Sequence, residues 1–254
     1  MARIGMLTPS SNTVLEPVTS RLLDDLNRES RDGRERRGAR EAATAHFARV
    51  RVTEISLEAR SDGQFADEPM LAAAALLADA KADLLVWNGT SGSWLGLERD
   101  LALVRAIEAA TGIRATTSSL AMKEAYERLG VRRLGLVTPY ADDVNARIAE
   151  RYRELGLECA PALGCGIREN ERFARVPEET IEAMIVEAAG SGRLDAIAVV
   201  CTNVNAASLA VRMESVLGIP VLDSVAATAW QALGLLGIDG RSLAGRWGRI
   251  FEYG

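Results

Sequence analysis

The chain has 254 residues, 48% of them hydrophobic, with 35 acidic against 30 basic side chains and a net charge of −5. This is enough apolar material to bury a core in one large domain or two lobes. The acidic balance argues against a nucleic-acid surface, which needs clustered Lys and Arg to neutralise phosphates. No apolar run approaches the ~20 residues of a membrane span; the longest candidate, Leu71 to Ala78, is cut by Asp79.

Met1 to Gly5 runs straight into a strand, so no signal peptide is expected and the cytoplasm is the expected compartment. The three cysteines, Cys159, Cys165 and Cys201, are odd in number and lack CxxC spacing. That fits neither a disulfide framework nor a zinc site. His46 is the single histidine, so any histidine-based catalytic or metal scheme would depend on it alone. No metal or other cofactor is expected.

In chain order, Ile4–Leu7 reads as a first strand ending in Thr8-Pro9-Ser10-Ser11-Asn12-Thr13, and a helix is expected over about Val14–Leu26. Asn27 to Glu41 is highly charged and glycine-punctuated and reads as a solvated excursion. Ala45–Val50 reads as a second strand. Glu68-Pro69 opens a helix through Ala80, with Pro near the first turn as helices prefer. Asp83–Trp87 is a third strand, broken by Asn88-Gly89-Thr90-Ser91-Gly92-Ser93. Leu97 to Ala110 is a helix stopped by Thr111-Gly112-Ile113. Ala115–Thr117 is a fourth strand, and Leu120–Leu129 a connecting helix.

The pattern then restarts. Leu134-Gly135-Leu136-Val137-Thr138-Pro139-Tyr140 echoes Ile4–Ser10 at an offset of 130, and Asp195–Thr202 echoes the strand ending in Gly89-Thr90 at an offset of 112. Gly218–Ser224 echoes Gly112–Ser118 at an offset of 106. Matched landmarks in the same order imply an α/β fold of two lobes related by a pseudo-twofold axis. Each lobe is then a small parallel sheet flanked by helices, with the site in the cleft between them. Residues 1–118 plus 225–254 would form the first lobe and 119–224 the second.

Ile197–Val200 is an apolar run of the kind that marks a buried parallel strand, and it ends abruptly in Cys201-Thr202-Asn203. A helix is expected just beyond, at Ala206-Ala207-Ser208. Ligands of open α/β sheets bind at the carboxyl ends of strands, which makes Cys201 the candidate acid/base. The four loops Thr8–Thr13, Asn88–Ser93, Thr138–Asn145 and Cys201–Asn205 should converge there. They offer hydroxyls, amides, a phenol and a thiol but no Lys or Arg. Neutral donors at helix starts suit a carboxylate or an enediolate. Gly164-Cys165-Gly166 lacks the strand-turn-helix context of a dinucleotide fingerprint.

The runs Thr8–Thr13, Gly89-Thr90-Ser91, Thr138–Asn145 and Cys201-Thr202-Asn203 together resemble the aspartate/glutamate racemase superfamily. Within it, they resemble the arylmalonate decarboxylase and maleate cis-trans isomerase branch. The resemblance covers nearly the whole chain and implies the two-lobed fold and cofactor-free chemistry. Racemases and isomerases of this group carry a cysteine in each lobe, whereas here the first-lobe position is Gly89, as in the decarboxylases. The resemblance therefore implies loss of CO₂ from a malonate-like acid. The resulting enediolate would be held by Thr90, Ser91 and Tyr140 and protonated on one face by Cys201.

Other features resemble the isomerases: the Ser-Ser-Asn-Thr run containing Asn12, Asn203 after the cysteine, and Asn170 as a further substrate contact. Gly92 stands where the decarboxylases have a bulky residue lining the pocket. The expected substrate-binding set is Asn12, Gly89, Thr90, Ser91, Tyr140, Asn170, Thr202 and Asn203. The expected partner is a small carboxylate with a polar group at both ends, and a homo-oligomer is left open. The rivals are an isomerase or racemase in which water or another group replaces the missing thiol, and a carboxylate binder without turnover.

Each candidate also has a plain structural reading. Thr90 and Ser91 would cap a helix, Asn12 would brace its turn, and Tyr140 would pack. Cys159 and Cys165 read as small hydrophobes, His46 as structural and Arg49 as a surface residue. Asp142 and Asp143 read as caps of the next helix.

Overall fold

The computed structural model describes residues 1–32, 42–58 and 63–253. In the first half, β1 (Ala2–Pro9), α1 (Leu15–Asp32), β2 (Ala43–Val50), α2 (Asp67–Asp79) and β3 (Leu84–Trp87) follow in order. They are succeeded by α3 (Gly92–Leu95), α4 (Leu97–Thr111) and β4 (Ala115–Thr117). Helix α5 (Ser118–Arg128) leads to β5 (Arg133–Tyr140), α6 (Asp142–Glu154), β6 (Glu158–Ile167), α7 (Asn170–Phe173), α8 (Glu178–Gly190) and β7 (Ala196–Val199). Then come α9 (Ala210–Leu217), β8 (Val221–Asp223), α10 (Ser224–Leu235) and α11 (Ala244–Trp247).

The strands form two parallel sheets of four, ordered β2-β1-β3-β4 and β6-β5-β7-β8. Central strands β3 and β7 are buried along their whole length, as their unbroken apolar runs require, while edge strand β6 alternates between exposed and half-buried. Helix α1 turns Leu15, Val18, Leu22, Leu23 and Leu26 inward at helical spacing. No described helix is long and apolar enough to cross a membrane.

The repeat is visible in the hydrogen-bond register. One row of the first sheet aligns Leu7, Trp87 and Thr117, and the matching row of the second aligns Val137, Val199 and Asp223. These pairs are separated by the same 130, 112 and 106 residues as the sequence echoes. Helices α5 and α10, which leave equivalent strands, pack on each other. Their seam carries the bonds Thr228 Oγ1 to Ser118 Oγ (2.9 Å) and Thr116 Oγ1 to Gln231 Oε1 (2.7 Å).

Three expectations need correction. Helix α1 continues through Asp32 instead of ending at Leu26, because Arg28 and Glu29 are good helix formers even though they extend no apolar stripe. The remainder of the charged excursion lies outside the described residues. A strand runs through Gly164-Cys165-Gly166, where none was expected: it is the edge strand β6. Beyond Cys201 the chain makes turns, a short 3₁₀ segment at Ala207–Leu209 and only then α9, so no α-helix starts at Ala206.

Candidate active site

The carboxyl ends of both sheets meet around one small cavity. Its polar lining comes from Thr90, Ser91, Tyr140, Asn170, Cys201 and Thr202, with Gly89 beside them. Its apolar lining comes from Pro9, Val52, Ile55, Phe65, Trp87 and Trp94. The cavity volume is about 20 Å³, which accommodates about one water and no carboxylic acid. The wall formed by residues 52–55 is fastened to the other lobe by Ile55 N–H to Arg168 O (2.8 Å) and Asn170 N–H to Thr53 O (2.9 Å). An acid can be admitted only if part of this lining moves.

Cys201 is 3% exposed, and burial pushes its thiol up to about 12. Against that, Sγ accepts from Asn203 N–H (3.4 Å), and this bond and the nearby Tyr140 hydroxyl favour the thiolate. Burial prevails, and at neutral pH the residue is a thiol, the form a proton donor requires. Tyr140 Oη pairs with Thr90 Oγ1 at 3.0 Å, a bond that crosses from one lobe to the other. Burial likewise holds the Tyr140 phenol well above its ordinary value. Edge-on ring contacts join Phe65 to Trp87 and Trp94, Trp94 to Tyr140, and Tyr140 to Phe173.

Ser91 Oγ accepts from Trp87 Nε1 (3.3 Å) instead of capping α3, so its hydroxyl proton is directed elsewhere. Thr202 Oγ1 donates to Asn88 O (2.9 Å) and accepts from Asn12 Nδ2 (3.1 Å). Asn12 is fully buried behind the lining: its Oδ1 takes Val14 and Leu15 N–H at the start of α1. Asn203 joins Thr13 N–H to Asn170 O and also lies behind the cavity. Asn170 lines the cavity while donating to Ser11 Oγ (2.7 Å).

The remaining candidates are structural. Arg49 holds the carbonyls of Ser10 and Asn12 and pairs with Glu16. His46 meets Thr44 Oγ1 on edge strand β2. Asp142 and Asp143 stand in the first turn of α6 without a side-chain cap, where negative charge suits the helix N-terminus. Among the described residues no group of three or more His, Cys, Asp or Glu side chains is placed to hold a metal.

Three features escaped the sequence reading. Trp94 lines the cavity with an Nε1–H that has no partner among the described residues. Trp87, read only as part of a strand, sends its indole beneath Gly89: a Cβ built on Gly89 would land on Cε2 and Cζ2 of that ring, well inside 3.0 Å. Nothing in an apolar strand pattern tells which way an indole turns. Gly92 faces away from the cavity, towards the Asp100 carboxyl, which a Cβ would meet at 2.7 Å. Its small size is thus explained by Asp100, not by pocket shape.

Asp100 is 1% exposed, with Thr117 Oγ1 donating to its Oδ2. Burial raises it from 3.8 to about 6, with the Thr117 bond opposing. An acid held more tightly protonated in the folded state contributes stability that is complete below pH 3.8 and lost as pH rises through about 6. That window caps the effect at ~3 kcal/mol. Asp100→Asn should therefore gain stability over the parent between pH 4 and pH 7.5, as thermal melts at the two pH values would show. A constant difference would contradict it.

Paired parallel sheets presenting their carboxyl ends, and a buried thiol, to one small cavity define an α/β enzyme of the aspartate/glutamate racemase type. The sequence pattern of the arylmalonate decarboxylase family matches residues 54–251, and the chain belongs to that family. It is 35% identical to the arylmalonate decarboxylase of Bordetella bronchiseptica over 166 residues, 65% of this chain and 69% of that one. It is 25% identical to the maleate isomerase of Geobacillus stearothermophilus over 91% of this chain and 90% of that one. A crystal structure of arylmalonate decarboxylase superposes with a TM-score of 0.75 at 28% identity, covering 98% and 99% of the two chains. The fold is shared with the Nocardia farcinica maleate cis-trans isomerase (TM-score 0.81, 22% identity, 99% and 98% covered). The protein is thus a decarboxylase or isomerase of this family.

Proposed function

We propose that the protein is a cofactor-independent decarboxylase of malonate-like acids. The observation that supports this most is the asymmetry of the two strand ends. Cys201 terminates β7, while at the equivalent end of β3 stands Gly89, with the Trp87 indole filling the space a second thiol would need. An isomerase or racemase needs a group acting from that side, and the indole also leaves little room for a water to serve instead.

In this reading the acid's reacting carboxylate faces the apolar side made by Val52, Ile55, Phe65 and Trp87. There a charged group is poorly solvated and neutral CO₂ is preferred. As the C–C bond breaks, its electron pair moves onto the remaining carboxylate to form an enediolate. The hydroxyls of Thr90, Ser91 and Tyr140 and the Trp94 Nε1–H donate to the enediolate oxygens. Each such donor contributes about 2.7–4 kcal/mol when placed against developing charge. Cys201 gives its proton to the carbon, and the thiolate is reprotonated from solvent when the product leaves. Gly89, Thr202 and Asn170 shape the pocket, while Asn12 and Asn203 brace the loops that carry it. The lobes of this working unit are residues 1–118 with 225–254, and 119–224.

A second reading, an isomerase of a small dicarboxylate, is favoured by the near full-length similarity to maleate isomerases. Proton NMR in D₂O with substituted malonates and maleate separates the two. One deuterium on one face of a monoacid, with CO₂ released, is the expected result. Fumarate formed from maleate would overturn the decarboxylase, and binding without turnover across the panel would leave a carboxylate binder.

A further inference from the structure

Asp223 is a buried acid for which the reaction above has no use. It is 1% exposed and ends β8 in the same register row as Val199, with Cys201 two residues further along the neighbouring strand. Asp223 and Cys201 therefore stand at neighbouring strand ends of one sheet. Ser224, the next residue, clamps the two strand ends: its Oγ accepts from Cys201 N–H (3.2 Å) and donates to Val199 O (2.8 Å).

As a helix cap, Asp223 uses only one oxygen. Oδ1 accepts from Val225 and Ala226 N–H at 2.8 and 2.9 Å, which is an ordinary N-cap. Oδ2 is buried with no hydrogen-bond partner among the described residues. An amide, or a serine hydroxyl, would cap α10 without burying a second oxygen or a charge. The equivalent position in the first lobe is Thr117, which caps α5 through its hydroxyl (Leu120 N–H to Oγ1, 3.1 Å). The lobe that carries the thiol is therefore the one whose cap is ionisable.

We propose that Asp223 is a positioning residue for proton delivery, acting through Cys201: its carboxyl must be neutral for the thiol to release its proton. When Cys201 donates, the S–H bond breaks and negative charge remains on sulfur. A carboxylate at the neighbouring, buried strand end opposes that charge, whereas a carboxylic acid does not. The inference rests on the reading of Cys201 as the proton donor.

The surrounding groups agree. Besides burial, the side chains that act on the Cys201 thiol are Tyr140 of β5, which draws it down, and Asp223 of β8 and Cys165 of β6, whose charges push it up. Among the described residues no charged side chain is a cause of the Asp223 shift. Burial raises it from 3.8 to about 7, and the N–H groups of Ala226 and Val225 oppose this. Its change of charge thus falls within the working pH range.

The test is Asp223→Asn, which keeps the capping oxygen and removes the charge, with Asp223→Ser as a second uncharged cap. With a substituted malonate, the wild-type rate should fall as pH rises through about 7, approaching tenfold per pH unit. Both variants should stay level over the same range. Independently of turnover, ¹³Cβ-cysteine NMR, assigned with Cys201→Ser, should show the Cys201 thiolate forming at lower pH in both variants than in the wild type. An unchanged thiol midpoint overturns the proposal whatever reaction the enzyme performs, and so does a falling limb that persists in both variants. If no malonate turns over but the midpoint moves, the coupling stands and the decarboxylase reading falls.

Discussion

Replacing Cys201 by serine is expected to lower turnover by about 10²–10⁴-fold, the range set by loss of a positioned general acid. The side chain is 3% exposed at the end of β7, and oxygen for sulfur is a small change of volume there. The Asn203 N–H and the Tyr140 hydroxyl remain available to the new oxygen. A serine hydroxyl is a much weaker acid than even a thiol raised to about 12, so the enediolate would find no adequate donor on that face. The loss should fall on kcat with KM little changed, because the donors that hold the carboxylate are untouched. Steady-state kinetics with a thermal melt as folding control checks this; full activity in the variant would remove Cys201 from the mechanism.

Gly89→Cys is expected to destabilise the protein and, by itself, not to yield a racemising enzyme. From the repeat alone, a thiol at Gly89 would stand opposite Cys201 and deliver protons to the other face. The Trp87 indole alters that expectation. It is 1% exposed, held by Ser91 Oγ and by the edge of Phe65, and it occupies the space into which any Cβ at residue 89 would project. A rigid ring inside a packed core cannot step aside as the end of a flexible side chain can, and overpacking of this kind costs typically 1–3 kcal/mol. Trp87→Leu should make room, so the double variant Gly89→Cys with Trp87→Leu is expected to be more stable than the sum of the single changes predicts. It is also the variant expected to erode the optical purity of a chiral product. Melting temperatures across the four proteins and chiral chromatography of the product decide it. A Gly89→Cys protein as stable as the wild type would show that the indole is no obstacle.

These two cases show where sequence reasoning reached and where it stopped. The offsets of 130, 112 and 106 residues reappear as the register rows Leu7–Trp87–Thr117 and Val137–Val199–Asp223. An apolar run that breaks into polar residues marks a strand end in sequence and in space alike. The loops that meet at the cavity were legible for the same reason. Strand β6 was not, because an edge strand needs only one apolar face and the glycines of Gly164-Cys165-Gly166 weakened even that alternation. Asn12 and Asn203 were legible as polar residues beside the site. Their hydrogen bonds across the lobe boundary, which put them behind the cavity lining, were not.

The sequence by itself determined the duplicated α/β plan, the position of the thiol and the glycine that answers it, because strand periodicity and strand-end chemistry are local properties of the chain. Only the tertiary structure decided that an indole fills the space beneath Gly89, that Gly92 answers to Asp100, and that Asp223 leaves one oxygen unpaired at the strand end beside Cys201. Those are contacts between segments distant in sequence or matters of side-chain direction. They are settled by how the core packs, which no local pattern encodes.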